Sequence, residues 1–175
     1  MNQCRIVTGQ LQLDCRSMDL AFVIHSAVEL MTPVAEAKQI TLMSDIEADA
    51  VPMTGDPERL RECVCNLLEN AIKFSAQSQQ VRISLRRMKS SAEVQVIDWG
   101  EGIAPKFLPR VFERFAQANS SMQRRGGLGL GLSIVKHIVE LHSGKIVAES
   151  EGKNRGASFA ILLPYRFPTT SQPHF

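Results

Sequence analysis

Two asparagines and a lysine share one face of a predicted helix, and this stretch constrains the fold more than any other. Asn66, Asn70 and Lys73 are spaced i, i+4 and i+7, so on a helix they form one stripe. The opposite stripe is apolar and is expected to face a core; it contains Leu60, Val64, Leu67, Leu68, Ala71 and Ile72. Amide oxygens can join a magnesium shell and lysine can neutralise phosphate, so the polar stripe suits a metal-bound phosphate chain.

Length and composition fit one soluble domain. The chain has 175 residues, of which 44% are hydrophobic and 22% are charged. A net charge of +2 is too small to predict a nucleic-acid partner. No apolar run approaches the roughly 20 residues that cross a bilayer, and no signal peptide is evident, so a cytoplasmic chain without a membrane segment is predicted. The four cysteines lack a Cys-x-x-Cys pair and are expected to be reduced thiols.

Caps and periodicity predict three helices separated by short strands. Asp19 and Asp56 are predicted to cap helices that run to about Lys38 and Ser75, and a third helix is predicted over 131–143. Residues 106–127 carry no sustained period beyond a short helical piece at 109–115, and they are predicted to form a lid. Strands are predicted at 40–46, 51–54, 81–86, 94–98, 146–149 and 157–163.

Two glycine clusters follow the asparagine helix. Asp98, at the end of a predicted strand, can accept from an exocyclic amine, which would select adenine over guanine. Gly100 and Gly102 after it allow a tight turn and close approach of a ligand. The second cluster, 127–131, leads directly into a helix, so its bare amides and the helix dipole can meet phosphate oxygens. It is not a Walker loop, because no Gly-Lys-Ser/Thr ends it.

Together these motifs resemble the ATP-binding catalytic domain of sensor histidine kinases, in the GHKL superfamily that also holds gyrase, the heat-shock chaperone ATPases and mismatch-repair ATPases. The resemblance covers nearly the whole chain: the asparagine box at 66–75, the first glycine box at 98–103, the phenylalanine box at 112–115, the second glycine box at 127–132, and the final Gly-Thr-x-Phe element at 156–159. It implies a two-layer α/β (α+β) sandwich, in which a mixed, mostly antiparallel sheet packs on about three helices beside a flexible ATP lid.

The resemblance also implies roles for individual residues. Asn70 would ligate magnesium, Asn66 and Lys73 would contact the phosphates, Phe74 would line the pocket, and Asp98 would bind the adenine amine. Further nucleotide contacts are implied at Gly100, Gly102, Ile103, Phe115, Gly127, Leu128, Gly129, Leu130, Gly131, Leu132 and Ser158.

The lid is expected to supply a cation and two anchors. Arg114, or alternatively Arg110, would meet the γ-phosphate, so Asn66, Lys73 and Arg114 form the implied catalytic set. Phe112 and Phe115 are expected chiefly to anchor the lid in the core.

Three positions depart from the family pattern. Leu128 stands where serine or threonine is usual, so one hydroxyl contact to phosphate would be missing. Trp99 is bulkier than usual and would either shield the adenine or cover a turn. Ala157 replaces the usual threonine, which leaves Ser158 as the available hydroxyl.

Asn66 bears on the reaction. Hydrolysing members of the superfamily usually carry a glutamate at this position, and an amide cannot act as a general base. The expected reaction is therefore transfer of the γ-phosphoryl group of Mg-ATP to a histidine on separate dimerisation helices, with a response regulator downstream. None of the four histidines here is expected to be the acceptor. A nucleotide-binding module without turnover and an anti-sigma-type serine kinase are the alternatives.

The same resemblance divides the chain. Residues 1–18 are expected to be a linker from dimerisation helices outside this chain, and 166–175 a loose tail. Residues 19–165 would be the catalytic domain, with its lid at about 104–128. The chain is therefore expected to be part of a longer kinase, and a membrane anchor in that parent protein is compatible with the prediction.

Overall fold

A computed structural model describes residues 4–8, 11–47, 50–116 and 129–165. Within these residues the chain forms two sheets and three α-helices. The elements in chain order are β1 (Cys4–Thr8), β2 (Leu11–Asp19), α1 (Leu20–Ala37), β3 (Thr41–Ile46), β4 (Pro52–Gly55), α2 (Pro57–Phe74), β5 (Gln80–Arg87), β6 (Ser91–Asp98), α3 (Gly131–Leu141), β7 (Lys145–Glu149) and β8 (Ala157–Pro164).

The larger sheet is mixed and has the strand order β3-β5-β6-β8-β7. Strand β3 runs parallel to β5, whereas the other neighbouring pairs are antiparallel. The smaller sheet, β1-β2-β4, is antiparallel. With the three helices packed on the larger sheet, this arrangement confirms the predicted fold class.

Strict alternation decides which side chains face the helices. In β6, Ala92, Val94 and Val96 are buried and the residues between them are half-buried, as a sheet with one packed face requires. The same period carries Asp98 onto the packed face at the end of the strand. A carboxylate is thereby held against an apolar core, beside Ala157 of β8.

One face of helix α1 is buried in the core. By length and apolar composition alone it could cross a membrane. In the fold, however, it packs against α2, and its buried face joins the main core. The residues of that face are Leu20, Ala21, Val23, Ile24, Ala27, Met31 and Ala35.

Helix α2 begins and ends close to the predicted positions. Asp56 caps it by accepting from the amides of Glu58 and Arg59, and Pro57 occupies the first turn. The helix ends at Phe74, one residue before the predicted end, and Ser75 is its C-cap. The helical piece predicted at 109–115 is shorter, a 3₁₀ turn over Leu108–Arg110.

Candidate active site

The polar stripe of α2 lies at the surface of the helix layer. The buried residues of this helix are Leu60, Cys63, Val64, Leu67, Leu68, Ala71 and Ile72. Asn66, Asn70 and Lys73 are half-buried, so they are both held by packing and open to a ligand. The predicted division of the helix into a core face and a polar face is what the structure has.

The start of α3 lies directly against the two asparagines. A Cβ built on Gly131 would be 3.2 Å from Asn66 Oδ1 and 3.9 Å from Asn70 Nδ2. Asn66 Nδ2 donates to the Glu62 carbonyl over 3.1 Å, which leaves its Oδ1 turned toward α3. The first turn of α3 has no side-chain cap at Leu130. The Asn66 oxygen, the Asn70 amide and the N-terminal end of α3 therefore meet in one place, an arrangement that can bind a cation and an anion together.

Glutamates that could replace the missing general base are turned elsewhere. The Glu62 carboxylate pairs with Arg59 at 2.9 Å. Glu69 is exposed, on the outer side of α2. One carboxylate is thus engaged by an arginine and the other is exposed, which favours a site that holds a phosphate chain over one that activates water.

Asp98 is buried and hydrogen-bonded. One carboxylate oxygen accepts from the Gly100 amide over 2.9 Å. Burial raises the pKa of Asp98, while the amides of Gly100 and Ala157 act in the opposite direction. A buried carboxylate with acceptor capacity left over is suited to an exocyclic amine donor.

The turn after Asp98 is docked on the end of α2. The Glu101 amide donates to the Phe74 carbonyl over 3.0 Å. A Cβ on Gly100 would lie 2.2 Å from that carbonyl oxygen, so only glycine permits this approach. On its other side, Gly102 lies against the Gly152 backbone. The turn after Asp98 and the end of α2 are distant in sequence, but their backbones are in direct contact.

A cavity of about 770 Å³ opens at this junction. Of the predicted site residues, Lys73, Phe74 and Gly100 line it. The others on its wall are Lys38, Ser75, Ala76, Gln79, Trp99, Glu101 and Asn154. It lies at the C-terminal end of α2 and does not reach over Asn66, Asn70 or Asp98, so the cavity and the asparagine face are neighbouring parts of the region.

Lys73 and Trp99 each take part in a contact between a cation and an aromatic ring. Lys73 Nζ is 5.3 Å from the centre of the Phe74 ring. The Arg82 guanidinium is 5.5 Å from the centre of the Trp99 ring, and Gln79 donates to the Trp99 carbonyl over 2.9 Å. Trp99 therefore covers the turn, and the alternative role of shielding the adenine stays a prediction.

The phenylalanine box divides between core and surface. Phe112 packs edge-on against Phe159, with ring centres 6.2 Å apart, as predicted for a core anchor. Phe115 is 69% exposed, so the expectation that it anchors in the core is wrong. Its amide donates to the Gly129 carbonyl over 3.0 Å, which joins the phenylalanine box to the residue that follows the predicted lid.

The remaining predicted contacts are distributed unevenly. Arg114 and Arg110 are exposed, and Arg110 pairs with Glu113. Leu130 and Leu132 are half-buried around the start of α3, and the Ile103 amide donates to Ser150. Gly127 and Leu128 lie outside the described residues.

Ser158 is not brought into the site. It alternates with the buried residues of β8 and therefore lies on the sheet face opposite Asp98. Its hydroxyl accepts from Gln95 over 2.9 Å, again on that far face. The prediction that Ser158 supplies the hydroxyl lost at Ala157 is corrected, because Ala157 itself is the residue beside Asp98.

Lys38 belongs to the region but was not predicted. Its ammonium reaches the end of α2 from the end of α1. Its position in the sequence does not distinguish it from an ordinary surface lysine. Its contact with the end of α2 becomes evident only when the two helices pack together.

Comparison with known proteins agrees with this arrangement. Residues 55–166 match the family described as histidine kinase-, DNA gyrase B-, and HSP90-like ATPases. The hybrid signal transduction histidine kinase D of Dictyostelium discoideum is 31% identical, over 91% of this chain and 12% of the relative. The alginate biosynthesis sensor protein KinB of Pseudomonas aeruginosa is 33% identical, over 94% of this chain and 27% of the relative.

A solved structure shares the fold. Full-length ShkA in complex with AMPPNP superposes with a TM-score of 0.78 at 27% identity, over 90% of this chain and 32% of that one. The chain therefore spans less than a third of the length of each of these three proteins.

Because the family match covers more than half of the chain, the chain belongs to the family of histidine kinase-, DNA gyrase B- and HSP90-like ATPases. Within that family it is a catalytic, ATP-binding domain of the sensor histidine kinase type.

Proposed function

We propose that this chain binds Mg-ATP and transfers its γ-phosphoryl group to a histidine on separate dimerisation helices. The observation that supports this most directly is the approach of Gly131, at the start of α3, to Asn66 and Asn70. Amide oxygens and helix amides then act on one phosphate chain from two sides.

The nucleotide is oriented by its two ends. Asp98 accepts from the adenine amine, which guanine lacks at that position. The phosphates extend toward Asn66, Lys73 and the first turn of α3. The relative ShkA was solved with AMPPNP, an ATP analogue, which supports the same ligand class for this chain.

The donor set fits magnesium. Within the described ranges, no group of three His, Cys, Asp or Glu side chains could hold a metal alone. Two asparagine oxygens are hard ligands, and Mg²⁺ typically takes its other ligands from phosphate and water. When bound, the ion neutralises charge on the phosphate oxygens; Asn70 is the proposed ligand, with Asn66 beside it.

The reaction forms one bond and breaks one. An imidazole nitrogen of the acceptor bonds to the γ-phosphorus, while the bond from that phosphorus to the bridging oxygen breaks and ADP leaves with the electron pair. The imidazole proton passes to a base on the acceptor helices. Lys73, and Arg114 from the lid, contribute charge, and Asn66 positions rather than deprotonates, as phosphoryl transfer requires.

The partners follow from this role. The dimerisation helices of the parent kinase supply the acceptor, and a response regulator takes the phosphoryl group onward. One named relative is a hybrid signal transduction histidine kinase and another is a sensor protein, which supports both partners.

The test has two stages. Calorimetric titration of the chain with Mg-ATP is expected to give binding that GTP does not reproduce and that Asn70→Ala abolishes. Dimerisation helices of the parent kinase, added in trans with ³²P-labelled ATP, should then become labelled at a histidine. Binding without labelling would favour the module without turnover, and acid-stable label on serine would favour the serine kinase. Absence of binding by a folded chain would refute all three.

A further inference from the structure

Lys38, the C-cap residue of α1, reaches across to the end of α2. Its Nζ lies 2.6 Å from the Ile72 carbonyl oxygen, 2.7 Å from that of Lys73 and 2.7 Å from that of Ser75. An ammonium has three N–H donors, and here three convergent carbonyls accept them. The residue that follows α1 thus also caps the C-terminal end of another helix.

The terminal carbonyls of α2 are all accounted for by this contact and two others. The Ala71 carbonyl accepts from the Ser75 amide over 3.1 Å and from its hydroxyl over 2.8 Å. The Phe74 carbonyl accepts from the Glu101 amide over 3.0 Å. A helix end normally leaves such carbonyls to water, and a cation there also offsets the negative end of the dipole.

The last turn of α2 carries the groups that matter for the nucleotide. Lys73 and Phe74 project from it into the cavity. The turn after Asp98 is docked on it through Glu101 and Gly100. A change in the direction of this turn would therefore move the phosphate-binding lysine and the adenine wall together.

We propose that Lys38 is a positioning residue for nucleotide binding. It fixes the last turn of α2, and through it the Lys73 ammonium and the turn after Asp98. Because its N–H donors go to carbonyls, it acts through Lys73 and Phe74 rather than on the phosphates. This inference rests on the proposed nucleotide site.

A double-mutant cycle tests the coupling. Mg-ATP affinity is measured by calorimetry for the wild type, Lys38→Met, Lys73→Met and the double variant, with exposed Lys89→Met as the matched control. Lys38→Met should bind about tenfold more weakly, as when an outer partner of a ligand is lost, and Lys89→Met should bind like the wild type. The double variant should lose less than the sum of the two single losses, because part of the effect of Lys38→Met acts through Lys73. Full additivity, or wild-type affinity for Lys38→Met, would overturn the proposal.

A second readout does not need nucleotide. Hydrogen exchange of the Glu101 amide, which donates to Phe74, should be about tenfold faster in Lys38→Met than in Lys89→Met. If the wild type binds no ATP, the proposed function fails while this measurement still decides the link between Lys38 and the docked turn. Unchanged protection would refute that link.

A fallback covers loss of folding. If circular dichroism finds Lys38→Met unfolded, both measurements are made on Lys38→Arg against Lys89→Arg. A planar guanidinium cannot match three convergent carbonyls, so affinity and protection should fall partway. Wild-type values for both would overturn the proposal.

Discussion

The amide of Asp56 donates to Nε2 of His142 over 3.0 Å and so joins the start of α2 to the end of α3. The other ring nitrogen, Nδ1, lies 2.8 Å from the Ile138 carbonyl, which can only accept. His142 is therefore neutral, with its proton on Nδ1. Burial lowers its pKa, because the charged ring would lose hydration and its Nε2 acceptor.

This pair predicts that the fold weakens in mild acid. The folded pKa of His142 is below its unfolded value, so its contribution is fully present above about pH 6.5 and is lost as pH falls below that value. His142→Gln should unfold more easily by about 1–3 kcal/mol near neutral pH, since it breaks a buried hydrogen bond. The substitution should also make the free energy of unfolding depend less on pH than it does in the wild type. Urea titrations at about pH 7.5 and 5.5 measure both.

Exposed His137 on the same helix provides the matched control. His137→Gln should keep the wild-type stability and pH dependence, because its ring lies at the surface. If His142→Gln retained the full acid sensitivity of the wild type, the assignment of that sensitivity to His142 would be wrong.

The charge of Asp98 should lower the stability of the fold and strengthen the binding of ATP. Its raised pKa means that ionisation costs stability, a cost that appears as pH rises through the folded pKa. Asp98→Asn should therefore melt at an equal or higher temperature at neutral pH. It should bind ATP roughly ten- to hundredfold more weakly, since a charged acceptor for the adenine amine is lost. Thermal melts and calorimetric titrations test the two halves.

Exposed Asp45, which pairs with Arg86 at the surface, is the control for this carboxylate. Asp45→Asn should leave ATP affinity unchanged. Full ATP affinity in Asp98→Asn would contradict the adenine-binding role.

Local signals were sufficient for the helices and the polar stripe. Asp56 and Pro57 mark the start of α2, and its 3.6-residue period separates core from polar side chains. Such features depend on a few neighbouring residues, so they can be read without knowing the fold. The predicted end of the helix differs from the observed end by one residue.

Long-range contacts could not be predicted in the same way. Ser158 is predicted at the site as the hydroxyl that remains beside Ala157. The register that pairs Asp98 with Ala157, and so excludes Ser158, is set only when the sheet forms. The contact between Lys38 and Ile72 joins residues 34 apart, and that between Asp56 and His142 joins residues 86 apart. Spacing along the chain carries no trace of either.

Gly131 should separate helix stability from ligand binding. Alanine at the start of α3 is a better helix former by about 0.5–1 kcal/mol, so Gly131→Ala should unfold no more easily than the wild type. Its Cβ would lie 3.2 Å from Asn66 Oδ1 and displace it slightly. Because Oδ1 is at the far end of a half-buried side chain, Asn66 can move aside at little cost to the fold, but it then no longer faces the ligand, so Mg-ATP should bind roughly tenfold more weakly. Exposed Lys136→Ala, on the same helix, should bind normally.

Trp99 should report binding without contributing to it. It is the single tryptophan of the chain, is 43% exposed and lines the cavity beside Phe74. Mg-ATP should therefore change its emission. Because its ring packs against Arg82 and covers a turn, Trp99→Phe should bind within about twofold of the wild type, as surface substitutions usually do. Arg82→Gln should shift the emission of the free protein at unchanged affinity. A tenfold loss in Trp99→Phe would instead mean that the indole shields the adenine.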